Sequence, residues 1–253
     1  MRDLKDKVAW ITGAGTGIGA AAALAYAAAG MHVVLSGRRR EKLEEVAAAI
    51  RAAGDQGGEF VLEPLDVADG DAVEAVAARI EEKFGRLDIL VNSAGINILK
   101  RSWKDVSREG WDQVVRIDLD GTYYCCAAVL PMMRRQKDGL IINVSSWAGR
   151  WVTKLTGPAY NAAKHGVCAM SESLNQEECG NGIRATAVCP AEVATPIMDK
   201  RPVPVPAEDR AKMVQPEEMG ELMLFLARLP ETVCLNEVII SPTYNRMYIE
   251  NLG

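Results

Sequence analysis

The sequence predicts a doubly wound α/β domain, in which helices flank both faces of a central parallel sheet. Three observations predict this fold class. Strand and helix patterns alternate along the chain, a glycine-rich turn joins the first strand to the first helix, and a length of 253 residues suits one such sheet. Strand–helix alternation implies right-handed βαβ crossovers, and these crossovers build a parallel sheet.

Short apolar runs mark the strands, and helical patterns lie between them. The predicted strands are Val8–Thr12, His32–Ser36, Glu59–Leu65, Asp88–Asn92, Leu140–Ser145 and Arg184–Cys189. The predicted helices lie near 17–30, 40–53 and 69–84, from Ser107 to Gln136 and from Pro158 to Cys179. No long linker or repeat interrupts this order. We therefore expect one domain over 1–253, with a cofactor half at about 1–137 and a catalytic and substrate half at about 138–253.

The composition is that of a globular protein, with 49% hydrophobic and 25% charged residues. No run approaches the roughly 20 apolar residues that a membrane-spanning helix needs. A net charge of −5 disfavours nucleic-acid binding, because phosphate affinity requires a basic face. Residues 1–7 lead directly into the first strand, so we expect no secretory signal and a cytoplasmic protein.

The cysteines form no C-x-x-C pair, which favours buried free thiols over disulfides or a metal centre. Two histidines are too few for a histidine-based zinc site. The acidic segment at 66–71 lacks the spacing and the later glutamate of a calcium loop. We therefore expect no metal. The six cysteines are Cys125, Cys126, Cys168, Cys179, Cys189 and Cys234.

A glycine-rich turn follows the first strand and opens an alanine-rich helix. Its glycines permit a sharp turn and let backbone N–H groups approach a pyrophosphate. The helix N-terminus adds aligned donors and a partial positive charge. We therefore predict that a dinucleotide binds at this turn. Its predicted contacts are Gly13, Gly15, Thr16, Gly17, Ile18 and Gly19.

The end of the second strand favours NADP(H) over NAD(H). NAD sites usually carry an acidic residue there, which binds the ribose hydroxyls. In this chain the strand runs into Arg38, Arg39 and Arg40, and the first acid is Glu41. A guanidinium group at Arg38 would bind a 2′-phosphate, whereas Arg39 and Arg40 suit a solvated helix start. NAD(H) is the alternative cofactor.

Three residues suggest acid–base chemistry on an alcohol or a carbonyl. Tyr160 and Lys164 lie one helical turn apart, and Ser146 follows an apolar strand. A free tyrosine has a pKa of about 10, but a nearby ammonium group and an oxidised nicotinamide favour the phenolate. Tyr160 would exchange a proton with the substrate oxygen during hydride transfer, and Ser146 would orient that oxygen. Ser145 is the alternative serine.

Six motifs follow one another in a fixed order along nearly the whole chain. They are T-G-A-G-T-G-I-G at 12–19, Asp66-Val67, Asn92-Ser93-Ala94-Gly95, Asn143-Val144-Ser145-Ser146, Tyr160-x-x-x-Lys164, and Cys189-Pro190-Ala191 running to Thr195-Pro196. In these motifs the chain resembles the short-chain dehydrogenase/reductase family. The resemblance implies a Rossmann-like domain and hydride transfer with Tyr160 as the acid–base. It also implies that Lys164 binds the nicotinamide ribose and that homodimers or tetramers form through the two long helices.

The resemblance implies further cofactor contacts. Asp66 is expected at the adenine, Asn92 in support of the cofactor-binding strand, and Val193–Thr195 at the carboxamide. The remaining members of the expected cofactor-binding set are Val67, Ala94, Gly95, Pro190 and Lys164 with Tyr160.

The chain departs from the family pattern at three places. Asp118 stands where the family usually has asparagine, Ala191 replaces a glycine, and the glycine pair after the last strand is absent. We expect Asp118 to serve either through its backbone carbonyl in a proton relay or by holding Lys164 charged. The altered tail at 241–246 is expected to affect assembly or the edge of the pocket.

Residues 196–216 contain five prolines and are predicted to form a lid over a substrate cleft, with a plain surface loop as the alternative. Trp147 and Trp151 suit either the wall of the pocket or ordinary packing. Arg150 and Lys154 are interpreted as solvated charge rather than as contacts for an acidic substrate.

The sequence therefore predicts an oxidoreductase that uses NADP(H) on a small alcohol or carbonyl compound. An NAD(H)-dependent dehydrogenase of the same fold is one alternative. A nucleotide-binding sensor without turnover and an epimerase or lyase are the others.

Overall fold

In the computed structural model, which describes residues 1–54 and 57–249, one parallel sheet runs in the order β3-β2-β1-β4-β5-β6-β7. The sheet order reverses between β1 and β4, and the carboxyl ends of the strands there form a crevice for ligands. The strands are β1 (Val8–Thr12), β2 (His32–Gly37), β3 (Phe60–Pro64), β4 (Ile89–Asn92), β5 (Gly139–Val144), β6 (Ile183–Pro190) and β7 (Glu237–Ile240).

Helices cover both faces of the sheet, which confirms the predicted fold class. They are α1 (Gly17–Ala28), α2 (Arg40–Ala52), α3 (Gly70–Phe84), α4 (Arg108–Val115), α5 (Gly121–Gln136), α6 (Pro158–Glu178), α7 (Ala207–Arg210), α8 (Pro216–Arg228) and α9 (Arg246–Ile249).

The core has two layers, because alternate residues of each strand point to opposite faces. On β1, Ile11 points to the layer that contains α1, α2 and α8, whereas Trp10 points to the layer that contains α3 and α5. Both side chains are fully buried. The strands are therefore apolar on both faces, as expected for a parallel sheet between helices.

The predicted helix from Ser107 to Gln136 is interrupted in the structure. A π-helical turn at Arg116–Asp120 separates α4 from α5. The Thr122 hydroxyl donates a hydrogen bond to the carbonyl of Asp118 at 2.9 Å, and the buried side chain of Asp118 turns away from solvent. Such turns often occur at functional sites. This one lies next to the lysine of the candidate site.

The sequence implies a last strand before residue 241 without giving its bounds, and this strand is β7, whereas α8 was not predicted. β7 is only four residues long, and Pro216 begins α8 at the first helical position, where proline is favoured. The sequence instead predicts that Pro216 ends the irregular segment at 196–216.

The six thiols are free, and four of them are buried. Cys179 is exposed and Cys234 is half-buried, so the prediction of buried thiols is wrong for these two positions. Within 1–54 and 57–249, no group of three or more His, Cys, Asp or Glu side chains is arranged to hold a metal ion. None of the described helices combines the length and apolar character required to cross a bilayer.

Candidate active site

A cavity lies at the carboxyl ends of the central strands, where the sheet order reverses. The glycine-rich turn after β1, the loop after β5, the start of α6 and the segment after β6 form its walls. A second groove continues from it past the ends of β2 and β3, and both share Gly13, Thr16, Ala94 and Gly95. The two parts together form an elongated site that suits a dinucleotide beside a small substrate.

The glycine turn is shaped by close backbone contacts. Gly13 has φ +65°, and a Cβ there would lie 2.7 Å from backbone atoms of Ser93 and Ala94. A Cβ on Gly19 would lie 2.4 Å from the carbonyl oxygen of Gly13. The turn therefore requires glycine at both positions, and the N-terminus of α1 faces the cavity at short range.

The second groove carries positive charge. Arg38 and Arg39 line it together with Lys42, and Asp66 and Val67 lie on its opposite side. Its cationic end at the carboxyl edge of β2 lies where a Rossmann-type site holds the adenosine ribose. The residues present therefore fit the adenosine end of a dinucleotide.

Tyr160 and Lys164 lie in the first turns of α6, with the ammonium nitrogen 5.5 Å from the centre of the tyrosine ring. Gly157 caps this helix with φ +78°, and Pro158 occupies its first position, where its fixed φ is favoured. The Lys164 ammonium donates a hydrogen bond to the carbonyl of Val144 at 3.0 Å. The two side chains therefore converge in one buried corner of the cavity.

The two neighbouring serines have different partners. The Ser146 hydroxyl lies within hydrogen-bonding reach of the Tyr160 phenol, and it also accepts a hydrogen bond from the backbone N–H of Ala148 at 3.1 Å. The Ser145 hydroxyl donates to the carbonyl of Lys164 at 2.9 Å and is buried. This geometry supports Ser146 as the serine that meets a substrate oxygen, and it gives Ser145 a role in holding α6.

Asp118 contacts the lysine with its carboxylate. One oxygen accepts a hydrogen bond from the backbone N–H of Ile96 at 2.8 Å, and the other lies 3.4 Å from the Lys164 ammonium. The side chain of Asp118 is fully buried. The carboxylate is thus close enough to hold Lys164 charged, and the backbone carbonyl of Asp118 accepts a hydrogen bond from the Thr122 hydroxyl.

The ionisation of this group depends on burial and on the charges inside it. Burial raises the pKa of Tyr160 above its usual range, Lys164 opposes that rise, and Asp118 adds to it. Burial lowers the pKa of Lys164, but the charges of Asp118 and Tyr160 outweigh burial and raise that pKa overall. Burial also raises the pKa of Asp118 against the pull of Lys164. Tyr160 therefore holds its proton at neutral pH, which is the state that donates to a carbonyl oxygen.

Residues 7–203 match the family model described as short chain dehydrogenase. The chain belongs to the short-chain dehydrogenase family. An uncharacterized oxidoreductase of Staphylococcus saprophyticus is 35% identical over 244 residues, which cover 96% of this chain and 100% of that relative. The family match and this relative confirm the predicted family and enzyme class. The protein is an NAD(P)-dependent dehydrogenase or reductase.

Two solved structures show the same fold with a bound cofactor. Alcohol dehydrogenase from the archaeon Thermococcus sibiricus, complexed with 5-hydroxy-NADP, has a TM-score of 0.85 and 29% identity, covering 96% of this chain and 99% of that one. A metagenomic short-chain oxidoreductase in complex with NADP has a TM-score of 0.82 and 30% identity, covering 96% and 100%.

In this short-chain dehydrogenase, most residues predicted for the site line the cavity or its groove. They are Gly13, Gly15, Thr16, Gly17, Ile18, Arg38, Asp66, Val67, Ala94, Gly95, Ser146, Tyr160, Lys164, Pro190, Val193 and Thr195.

Three predicted residues lie behind the wall. Gly19 packs against Gly13, and the Asp118 carboxylate lies 3.4 Å from the Lys164 ammonium. The Asn92 amide donates a hydrogen bond to Asn143 at 2.9 Å, which ties β4 to β5. These three residues contact residues of the site but do not line the cavity or its groove.

The dehydrogenase cavity also contains residues that the sequence analysis missed. Asn97 and Arg101 line it from the loop after β4, and Glu192, Arg201 and Met247 line it on the side of the tail. Asn97 continues the Asn92–Gly95 motif, which was a usable signal. Arg101 follows Lys100 in a polar stretch, and this pattern is typical of exposed surface residues.

Aromatic residues of the loop after β5 and of the tail contact one another beside the cavity. Trp147 lines the cavity and contacts Trp151 and Tyr248, with ring centres 5.0 and 5.5 Å away. Trp151 is half exposed and lies outside the lining, so it serves packing alone. Arg150 pairs with Glu237, which agrees with its interpretation as a surface charge.

The segment predicted to be a lid is partly helical in the structure. It contains a 3₁₀ turn at Pro196–Lys200 and the helix α7, and Arg246 from the tail pairs with Asp209 within it. Pro196 and Met198 line the cavity. The segment therefore covers one side of the site, and its movement as a lid stays a prediction.

Proposed function

We propose that this short-chain dehydrogenase transfers hydride between NADP(H) and a small alcohol or carbonyl compound, with Tyr160 as the acid–base. The observation that carries this proposal is the convergence of Tyr160, Lys164 and Ser146 in a cavity continuous with the glycine turn. We also propose that the enzyme is one domain in the cytoplasm. We further propose that it forms a homodimer or tetramer through the two long helices, as its membership of the family implies.

The choice of NADP(H) over NAD(H) rests on charge. Arg38 and Arg39 line the groove at the carboxyl end of β2, whereas the acidic residue of its lining, Asp66, follows β3. A guanidinium group binds a phosphate in a bidentate geometry, whereas a carboxylate would repel it. Two related solved structures hold NADP or a derivative of it, which supports the same choice.

Bound NADP(H) would donate or accept the hydride at its nicotinamide ring. Tyr160 would donate its phenolic proton to the carbonyl oxygen during reduction and would remove the hydroxyl proton during oxidation. Ser146, within reach of the same phenol, would hold the substrate oxygen through a hydrogen bond. Lys164 would bind the ribose and stabilise the phenolate, and Asp118 would keep the lysine protonated.

The direct test is the variant Tyr160→Phe, which removes the phenolic oxygen and keeps the ring. We expect carbonyl reduction by NADPH to fall by about 10²–10⁴-fold, the usual contribution of a general acid. We expect the dissociation constant for NADPH, measured by fluorescence titration, to stay within about threefold. Tyr124→Phe on α5, outside the cavity lining, is the matched control.

The outcomes separate the alternative functions. If the wild-type enzyme binds NADPH but consumes none with a panel of aldehydes, ketones and alcohols, the sensor function replaces ours. If it converts substrate without any net change in nicotinamide absorbance, an epimerase or lyase does. Faster turnover with NADH than with NADPH at equal concentration would overturn the cofactor choice.

A further inference from the structure

Arg101 is a buried arginine on the wall of the substrate cavity. Arg101 is only 8% exposed, and it lines the same cavity as Ser146 and Tyr160. One N–H group of the guanidinium donates to the carbonyl of Lys200, and Nε has no acceptor. A buried cation with an unmet donor costs free energy unless a partner supplies the missing acceptor and charge.

The described residues supply no such partner. Within 1–54 and 57–249, no carboxylate lies within ion-pair distance of Arg101, although sixteen other ion pairs occur there. The nearby charge is that of Arg201, and burial followed by Arg201 lowers the pKa of Arg101. An arginine still stays protonated at neutral pH. The cavity therefore presents a positive charge without a counter-ion.

Glu192 is an acidic residue of the cavity lining, and its carboxylate is already paired. Glu192 lines the cavity, but it lies 2.5 Å from the guanidinium of Arg201 and 2.8 Å from that of Arg246. Those two contacts neutralise Arg201 and occupy the glutamate. The excess positive charge of this part of the cavity is thus located on Arg101.

The backbone fixes Arg101 relative to the catalytic tyrosine. Gly157, three residues before Tyr160, packs so closely on Arg101 that a Cβ at Gly157 would lie 2.1 Å from the carbonyl oxygen of Arg101. The Asn97 amide donates a hydrogen bond to the carbonyl of Thr156 at 3.0 Å, which ties the same loop to the same segment. The backbone at Arg101 is therefore held against the start of α6, and the bond to the Lys200 carbonyl holds the buried guanidinium.

We propose that Arg101 binds a carboxylate of the substrate, so that the enzyme acts on a hydroxy acid or the corresponding oxo acid. This inference rests on the proposed function, because it names the class of alcohol and carbonyl compound that the site takes. The carboxylate supplies the negative charge that is missing beside Arg101, and the planar guanidinium suits a carboxylate geometrically. The hydroxyl or carbonyl at the other end of the molecule then meets Ser146 and Tyr160.

Kinetics with matched acids and amides test the inference. We would measure kcat/KM for 2-, 3- and 4-oxo acids of four to eight carbons and for the corresponding neutral amides. The wild-type enzyme is expected to prefer an acid to its amide by at least about tenfold. Arg101→Gln should lower kcat/KM for that acid by about 10- to 100-fold, the range of a lost charged hydrogen bond, and leave the amide nearly unchanged. Arg101→Lys should restore part of the preference.

A matched control and a binding measurement make the result decisive. Lys100→Gln removes a positive charge from the neighbouring exposed residue and should keep the preference for the acid. Calorimetric titration of the NADP⁺ complex with butanoate and butanamide measures the subsite without turnover. We expect butanoate to bind the wild-type enzyme at least about tenfold more tightly than Arg101→Gln, with equal binding of butanamide to both.

The results distinguish this inference from the proposed function. Reduction of neutral ketones with no preference for acids, together with equal binding of butanoate to wild type and Arg101→Gln, overturns the inference and leaves the proposed function in place. Arg101-dependent binding of butanoate without any NADPH consumption supports the anion subsite and counts against the proposed function.

Discussion

At the residue scale, Asp118 places a carboxylate 3.4 Å from the Lys164 ammonium, where the family usually has asparagine. The negative charge keeps the lysine protonated and raises the pKa of Tyr160. The two effects act on the same proton transfer in opposite directions, because Lys164 favours the phenolate and Asp118 disfavours it. The sequence showed the substitution, but only the structure shows that the carboxylate points at the lysine.

We predict that Asp118→Asn shifts the pH dependence of alcohol oxidation toward lower pH. Oxidation requires the Tyr160 phenolate, so its rate rises as pH increases through the pKa of Tyr160. Removing the carboxylate lowers that pKa, and the amide oxygen can still accept the hydrogen bond from Ile96. The measurement is kcat/KM for the alcohol from pH 6 to pH 10. An unchanged profile contradicts this account, and Asp120→Asn, two residues away and outside the cavity lining, should leave the profile in place.

Arg38 carries the cofactor preference at this scale. We predict that Arg38→Asp raises KM for NADPH by about 10- to 100-fold, because the variant loses a charged hydrogen bond and adds repulsion. KM for NADH should change much less or improve. Arg40→Asp is the matched control, because Arg40 is exposed and pairs with Glu44 at 3.0 Å. A preference that survives Arg38→Asp removes the reason given for NADP(H).

At the element scale, α1 and α8 pack closely beside the cofactor turn. A Cβ on Gly220 of α8 would lie 2.8 Å from the carbonyl oxygen of Ala21 on α1. Neither backbone can move without disturbing the alanine-rich face of α1, which also begins at the glycine turn. The contact therefore couples helix packing to the geometry of the cofactor site.

We predict that Gly220→Ala lowers the free energy of unfolding by about 1–3 kcal/mol, the usual cost of overpacking. Gly180→Ala is the matched control, because a Cβ there meets nothing within 4 Å. Urea denaturation of both variants and the wild type provides the comparison. Equal stability of the two variants would show that the helices accommodate an extra methyl group without cost, which contradicts the close packing of α1 against α8.

Elements with a strong local pattern were the ones that the sequence predicted well. β1 and its glycine turn are an example, because a short continuous apolar run and the glycine spacing are both local signals. The π-helical turn at Arg116–Asp120 was missed, because the residues on both sides of it are helical and one wider turn leaves no separate signal in the sequence. The bounds of β7 could not be predicted, because four residues carry too little periodicity and its pairing with β6 is a long-range contact.

At the scale of the whole molecule, the sheet order brings distant segments to one cavity. Motifs after β1, β5 and β6 meet there because the carboxyl ends of parallel strands lie at one edge. The motif residues could therefore be predicted from sequence. Arg101 and Met247 could not, because their place on the wall depends on how a loop and the tail fold back over the site.

The most direct test of the central claim is to follow the hydride itself. The enzyme is supplied with NADPH that carries deuterium at both C4 positions of the nicotinamide and with a carbonyl compound that it reduces. We predict that NMR finds deuterium on the former carbonyl carbon of the alcohol product and that Tyr160→Phe forms almost none of this product. An alcohol product that carries only protium at that carbon would contradict direct hydride transfer in this site.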